Sequence, residues 1–345
     1  MTTSLFALGL GLGTRSAAGQ WLEVFFPQPL RNPEPALVAA LQRACPLALD
    51  AGIAEVDAPM LHAIADALGA AGYAGQASIA AELAGNAARA VVVAPAADLP
   101  PRNVPEAYLK LHLLSHRLCR PNEQKLDGLF ATLPNVVWSS EGAIALAEFP
   151  ARQLAARSAG RTLTVHAVDK FPRMVDYVVP AGVRVADGSR VRLGAYLGEG
   201  STVMHEGFVN FNAGTEGPGM IEGRISAGVM VGAGSDLGGG CSTMGTLSGG
   251  NSTRISVGSE CLIGANAGIG ISLGDRCTVE AGLYVTGGAR VRVLDEEGKQ
   301  VKVVPARELS GGCDMLFRRN SQSGAIECLT NRAAIALNES LHAHN

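Results

Sequence analysis

The chain has 345 residues, long enough for two or three domains and a large buried core. Its 28 basic and 31 acidic residues leave a formal net charge of −3, which argues against nucleic acid or an anionic membrane as partner. Aromatic residues make up only 5%, and seven cysteines without framework spacing indicate core thiols in a reducing, cytoplasmic compartment.

Residues 1–174 read as an α/β domain. No basic residue precedes the apolar stretch Leu5–Leu12, and Arg15 is the first, so a signal-peptide pattern is absent. Gly9-Leu-Gly-Leu-Gly-Thr14 lacks the spacing and the lysine of a phosphate loop and reads as strand and turn. No run approaches the ~20 apolar residues of a membrane span. The segment from Asn32 to Arg43 opens on prolines and continues with helical apolar spacing, and a second helix runs from Asp57, its N-cap, to Leu68. A strand is predicted within Ala88–Ala94. A helix over Pro105–Leu118 carries His112 and His116 at i,i+4. That spacing can chelate a metal, but no Glu falls between them, and the two read as a helix-surface pair. Thr162–Val168 alternates like a strand and leads toward the next segment.

Residues 175–291 carry a different beat, an aliphatic residue at every sixth position. The blocks are Val179, Val185, Val191, Leu197, Val203 and Val209; Ile225, Val231 and Leu237; Val257, Ile263 and Ile269; and Leu273, Val279, Val285 and Val291. A helix does not repeat at six, and a two-sided strand repeats at two. A six-residue beat matches a triangular parallel β-helix, in which each hexad supplies one flat side and one corner. The aliphatic residue fills the prism. The glycine that often follows it, as at Gly198, Gly232, Gly238, Gly258 and Gly264, is expected to tolerate the corner dihedrals. Small residues four places on, among them Ser189, Ser201, Ser235, Cys241, Cys261 and Cys277, avoid crowding near the corner.

The blocks are out of phase, with Asn210–Arg224 and a longer stretch holding Met244–Arg254 between them. Both read as insertions carried on the outside of the solenoid, the first rich in Asn, Glu, Arg and Gly and therefore a candidate functional loop. Beyond Val291, residues 292–345 read as a small β-rich cap: a hairpin over Arg292–Val304 turning at Asp295–Gly298, a second over Met315–Leu329, and a helix from Asn331 to His342.

Several stretches carry a more specific likeness. Met204-His-Glu-Gly-Phe-Val-Asn-Phe-Asn-Ala-Gly-Thr215, Glu222-Gly-Arg-Ile-Ser-Ala-Gly228, Met244-Gly-Thr-Leu-Ser-Gly-Gly250 and Gly264–Gly274 resemble one branch of the tetrahydrodipicolinate N-succinyltransferases. So do Val279–Val285, Ala306-Arg-Glu-Leu-Ser-Gly311 and Phe317-Arg-Arg-Asn-Ser321. The likeness covers most of residues 175–345. In the N-terminal half it extends mainly to length and domain order.

The resemblance implies a homotrimer of left-handed parallel β-helices with active sites between neighbouring prisms. It implies small-molecule substrates: succinyl-CoA as co-substrate and L-2,3,4,5-tetrahydrodipicolinate as acceptor, on the diaminopimelate route to lysine. Carried over by motif, Glu222 is the catalytic carboxylate, either accepting the succinyl group as an acyl anhydride or acting as general base, and Arg224 helps bind the acyl donor. Gly239, Ser242, Ala265, Glu280, Ala281 and Gly288 line the CoA groove, closed by Arg318, Arg319, Asn320 and Ser321. The family lysine before Ala-Arg-Glu-Leu is replaced by Pro305, which leaves Lys302 to reach a CoA phosphate. The family also implies magnesium on the trimer axis. Glu206 matches one proposed ligand, whereas Ser189 stands where the family has an acidic one, with Asp187 the nearest substitute.

The residue types suit this chemistry. Acyl transfer to nitrogen needs a group that takes a proton or holds the acyl, donors for the thioester oxyanion, and guanidinium partners for dicarboxylates. Two rival readings predict other features. An acetyl-CoA-dependent hexapeptide acyltransferase usually uses a solenoid histidine, and here His205 alone lies inside the repeat; that one histidine also rules out a three-histidine zinc site. A non-catalytic trimeric scaffold would have plain loops.

Overall fold

The computed structural model describes residues 4–247 and 252–330. The helix expected from Asn331 to His342 lies outside the described residues. The chain divides into two compact units: Met1–Cys119 with Glu123–Pro172 and Asp176–Val178, and Val179–Asn345 with Arg120–Asn122 and Arg173–Val175.

In the first unit, strand Ala7–Arg15 lies between Trp21–Phe25 and Ala90–Val93 in an antiparallel sheet that Ile53–Glu55 continues. Its alternating glycines are a packing device. A Cβ on Gly9 would come within 2.5 Å of the Phe26 ring, one on Gly11 within 2.6 Å, and one on Gly13 within 2.5 Å of Trp21. Helices Pro35–Ala44, Ala58–Ala70 and Ala74–Ala84 flank a core that includes Leu8, Leu10, Leu41, Ile64, Leu68 and Val92. Asp57 caps the second helix by accepting from Met60 N–H at 2.9 Å. The third helix escapes a reading of periodicity because only Ala80 and Leu83 are buried along it. Val165–Asp169 pairs with Val136–Ser139, which also pairs with Gly142–Ala145, and helix Phe149–Ser158 packs there.

Helix Val104–Ser115 is buried along its whole length from Pro105, which corrects the reading of His112 as a surface residue. Phe26 N–H donates to His112 Nε2 at 3.2 Å, and His112 Nδ1 donates to Tyr108 O at 2.8 Å. Burial pushes its pKa down to about 3, so the ring is neutral and Nε2 is free to accept.

The second unit is a three-sided parallel β-helix. One side stacks Arg184–Val185, Ser201–Val203, Gly219–Ile221, Asp236–Leu237, Leu262–Ile263 and Thr278–Val279. The next stacks Phe208–Val209, Arg224–Ile225, Ser242–Thr243, Gly268–Ile269 and Tyr284–Val285, and the third Ala195–Leu197, Ala213–Thr215, Met230–Val231 and Ser256–Val257. The repeating aliphatic residues from Val191 to Val291 are buried inside. Val179, read as the first of them, is 75% exposed, because it precedes the first stacked strand and has no coil to fill.

Asn210–Arg224 is not an insertion. The beat continues through buried Thr215 and Ile221, which pair in register with Leu197 and Leu237. The phase slips because the corner from Ile221 to Ile225 is two residues short, so Val209 stacks on Ile225 after sixteen residues where Val203 stacks on Ile221 after eighteen. A threonine in place of an aliphatic residue hid this continuity. The second interruption is a true insertion: Thr246 bridges Arg254 in antiparallel fashion, and Leu247 N–H donates to Thr253 O at 2.8 Å.

The glycines after the aliphatic residues serve a different purpose from the one expected. A Cβ on Gly198 would lie 1.9 Å from Glu216 O, one on Gly264 2.5 Å from Ala281 N, and one on Gly258 2.4 Å from Gly274 C. They clear the way for the next coil. The left-handed corner sits two residues later and holds Gly200 and Gly234 but also Asn266, Glu260 and Arg276. Beyond Val279 the first side runs on into Met315–Arg319, then Ile326–Thr330, Arg290–Leu294 and Gln300–Pro305.

Two outcomes follow. Gly198→Ala forces two coils apart, and it should destabilise the protein by about 2 kcal/mol or more in denaturant melts. His112 binds a proton readily near pH 6.5 when unfolded but only near 3 when folded, so its contribution is complete above about 6.5 and is lost as pH falls toward 3. Melting curves from pH 7 to 5 should decline less steeply for His112→Gln than for wild type, the difference reaching about 2 kcal/mol at pH 5.

Candidate active site

One edge of the prism gathers most of the residues singled out from the sequence. It is the corner following Val185, Val203, Ile221, Leu237, Ile263 and Val279, and it stacks Asp187, Glu206, Glu222, Gly239, Ala265 and Ala281. Backbone bonds knit the stack together. Glu222 N–H donates to Leu237 O at 2.8 Å, Gly240 N–H to Glu222 O at 3.2 Å, Asn266 N–H to Gly239 O at 2.9 Å and Gly282 N–H to Ala265 O at 2.8 Å.

Two carboxylates meet at Gly239. The position a Cβ would take there lies 3.6 Å from Glu222 Oε2 and 3.7 Å from Glu206 Oε2. Among the described residues, none accepts a hydrogen bond from Gly239 N–H. Two carboxylate oxygens beside a glycine whose amide has no acceptor among the described residues supply what transfer of an acyl group requires: an acceptor for a proton and a donor for a carbonyl oxygen. Cys241 lies beside this corner, its Sγ 2.2 Å from where a Cβ on Gly223 would fall. Burial first, and then the Glu222 charge, push its thiol up to about 12, so it stays protonated and is no rival nucleophile.

Arg224 follows Glu222 around the short corner and is exposed on the adjoining side, in register with Phe208 and with Ser242. Two strands beyond Ser242, the half-exposed ring of Tyr284 lies flat over Gly268, where a Cβ would come within 2.1 Å of it. Tyr284 escaped the sequence reading; an aromatic residue in a position that otherwise faces solvent was its one signal. Gly288 sits at the corner after Val285, away from the Glu222 edge, and nothing lies within 4 Å of its Cβ position. Lys302 is exposed on Gln300–Pro305, the outermost strand of the extended side.

The C-terminal hairpin meets the top of the same edge. Glu280 N–H donates to Phe317 O at 2.9 Å, and Arg319 N–H donates to Glu280 Oε2 at 2.6 Å. Ser321 is exposed in the turn. Arg318 and Asn320 are already engaged: Arg318 Nε and Asn320 Nδ2 donate to the two carboxylate oxygens of Glu327, at 3.0 and 2.8 Å. Glu327 is 4% exposed and sits opposite Arg318 in register. The sequence reading missed it, although a charge pair across the expected hairpin marks it.

Asp187 Oδ1 accepts from Ser189 N–H at 2.9 Å and from Ser189 Oγ at 2.6 Å, bonds that hold its carboxyl below the usual range. Among the described residues no group of three His, Cys, Asp or Glu side chains can hold a metal ion. Glu206, the other expected ligand, turns toward Gly239.

Known proteins agree with this architecture. Residues 133–173 match the family profile for the middle region of tetrahydrodipicolinate N-succinyltransferase, and residues 254–287 match the hexapeptide repeat of succinyl-transferases. The 2,3,4,5-tetrahydropyridine-2,6-dicarboxylate N-succinyltransferase of Pseudomonas paraeruginosa is 59% identical over 345 residues, covering 100% of both chains. That of Pseudomonas putida is 58% identical over 347 residues, also covering 100% of both, and that of Vibrio cholerae is 54% identical over 340 residues, covering 99% of each. A Campylobacter jejuni crystal structure, provisionally assigned as a 2,3,4,5-tetrahydropyridine-2-carboxylate N-succinyltransferase, superposes with a TM-score of 0.87 at 30% identity, over 96% of this chain and 93% of that one. With full-length relatives at this level of identity, a matching hexapeptide repeat and a parallel β-helix that carries it, the chain belongs to the tetrahydrodipicolinate N-succinyltransferase family.

Proposed function

We propose that the edge holding Glu222 catalyses transfer of succinyl from succinyl-CoA to the nitrogen of L-2,3,4,5-tetrahydrodipicolinate, a step of diaminopimelate and lysine biosynthesis. The observation that carries this reading is the convergence of Glu222 and Glu206 on Gly239, on the same stacked edge as Ala265, Ala281 and Glu280. Full-length relatives named for this reaction support it.

The acyl donor runs along the edge past Ala281 and Ala265, with its thioester beside Gly239. Gly239 N–H donates to the thioester oxygen as negative charge develops there. Water adds across the C=N bond of the cyclic imine and leaves an N–H; Glu222 takes that proton from the attacking nitrogen as the new C–N bond forms and the C–S bond breaks, and CoA leaves as the thiolate. Arg224 faces the donor's carboxylate, a task suited to a planar guanidinium. Glu280 orders the hairpin turn whose Arg319 and Ser321 close the far end, while Glu327 positions Arg318 and Asn320. Gly288 and Lys302 are assigned to more distant parts of CoA.

The working molecule is a cytoplasmic homotrimer of left-handed β-helices with sites between neighbours. Its chain divides as 1–174, 175–291 and 292–345. Magnesium on the trimer axis would be held by Glu206, one carboxylate from each chain; Asp187 is bonded to Ser189, and no step is routed through the metal.

CoA release, followed by chromatography because the protein has thiols of its own, tests the assignment. Succinyl-CoA with tetrahydrodipicolinate or its stable analogue 2-aminopimelate should give acceptor-dependent release, lowered at least a hundredfold in Glu222→Gln. Release with acetyl-CoA alone, or none, would leave the β-helix standing and overturn the substrate. Gly239→Ala places a methyl in ordinary contact with both carboxylates, where the acyl group belongs. Its melting temperature should match wild type while kcat/KM for succinyl-CoA falls at least tenfold.

A further inference from the structure

The corner that presents Glu222 is two residues short, and just beyond it one rung of the backbone ladder to the next coil is missing. On the side of the prism that Arg224 enters, Asn210 N–H donates to Ile225 O at 3.1 Å, Met244 N–H to Ile269 O at 2.9 Å and Gly270 N–H to Val285 O at 2.8 Å. The equivalent bond, from Ser226 N–H to Thr243 O, is replaced. Ser226 N–H donates instead to Thr243 Oγ1 at 3.1 Å, Ser226 Oγ donates to Thr243 O at 2.6 Å, and Thr243 Oγ1 donates to Arg224 O at 3.0 Å.

Thr243 occupies the interior position filled by Val209, Ile225, Ile269 and Val285 in the other coils, and it is fully buried. A hydroxyl inside an aliphatic prism is costly unless bonded, and this one has both a donor and an acceptor. Both are backbone groups of the segment that follows Glu222. The second short corner, between Ile269 and Leu273, is held differently: Ser272, in the corner itself, accepts from Ser256 N–H at 3.1 Å.

We infer that Thr243, clasped to Ser226, is a positioning residue for catalysis: it fixes the backbone of the short corner so that Glu222 faces Gly239 and Arg224 faces outward. The inference rests on the reading of Glu222 given above. Without the hydroxyl, Ser226 N–H loses its acceptor, and the corner relaxes toward the regular ladder. A displacement of about an ångström in a reacting group lowers turnover by orders of magnitude.

The test uses the full-length protein with succinyl-CoA and 2-aminopimelate. Thr243→Val, which restores the aliphatic beat at nearly constant volume, should lower kcat at least tenfold and leave KM for succinyl-CoA within threefold. Thr243→Ser, which keeps the hydroxyl, should recover most of the loss. Val285→Thr, which buries a hydroxyl two coils away on the same side, should lower the melting temperature and leave kcat unchanged. If Thr243→Val yields no folded protein, Ser226→Ala carries the same expectation for kcat. A folded Thr243→Val with kcat within twofold of wild type overturns the inference, as does a loss of kcat in Val285→Thr as large as in Thr243→Val. Glu222→Gln, run alongside, separates the two claims. If it is inactive while Thr243→Val is fully active, only the clasp is refuted; if it is active, the assignment of Glu222 falls and the inference with it.

Discussion

Stacking of one coil directly on the next is the constraint from which the rest of the second unit follows. Each coil must bond its backbone to the next at the spacing of paired strands, roughly 4.8 Å, so nothing larger than hydrogen fits where corners approach most closely. Gly198 under Glu216 and Gly264 under Ala281 satisfy that demand. The same stacking aligns successive corners into a column, and a column is how residues distant in sequence come to share one edge. Glu206, Glu222 and Gly239 meet because they occupy the same corner of three consecutive coils.

The proposed site lies where the stacking is least regular. Removing two residues between Ile221 and Ile225 pulls Glu222 and Arg224 to opposite sides of a single tight corner. The ladder bond lost there is replaced by two hydroxyls, and the glycine one coil on leaves room between two carboxylates. The adjacent thiol, Cys241, is silenced by burial. The stacked coils thus hold two carboxylates beside one glycine.

Much of this was legible in the residues, and the misreadings have physical causes. The aliphatic beat identifies the solenoid because no other structure repeats at six. It fails at Thr215 and Thr243, where a hydroxyl replaces the aliphatic group, and so Asn210–Arg224 looked like an insertion when it is a coil. Glycine after the aliphatic residue was credited with unusual dihedrals; its neighbour in the next coil, invisible in a linear reading, is the true reason. Val179 kept the beat but lay beyond the stack. Glu222 and Arg224 were singled out by motif. The approach of Glu222 and Glu206 to Gly239, and the bonds of Arg318 and Asn320 to Glu327, needed the register of strands. In the first unit, a helix buried on all sides gives no periodic signal, which is why His112 passed for a surface residue.

The central claim is that a single edge of the prism carries the reaction. A crystal structure with CoA and 2-aminopimelate bound tests it most directly. The account predicts the CoA sulfur beside Gly239, within reach of the acceptor nitrogen, with that nitrogen hydrogen-bonded to Glu222. A CoA lying along either other edge, with its sulfur remote from Glu222, would contradict it.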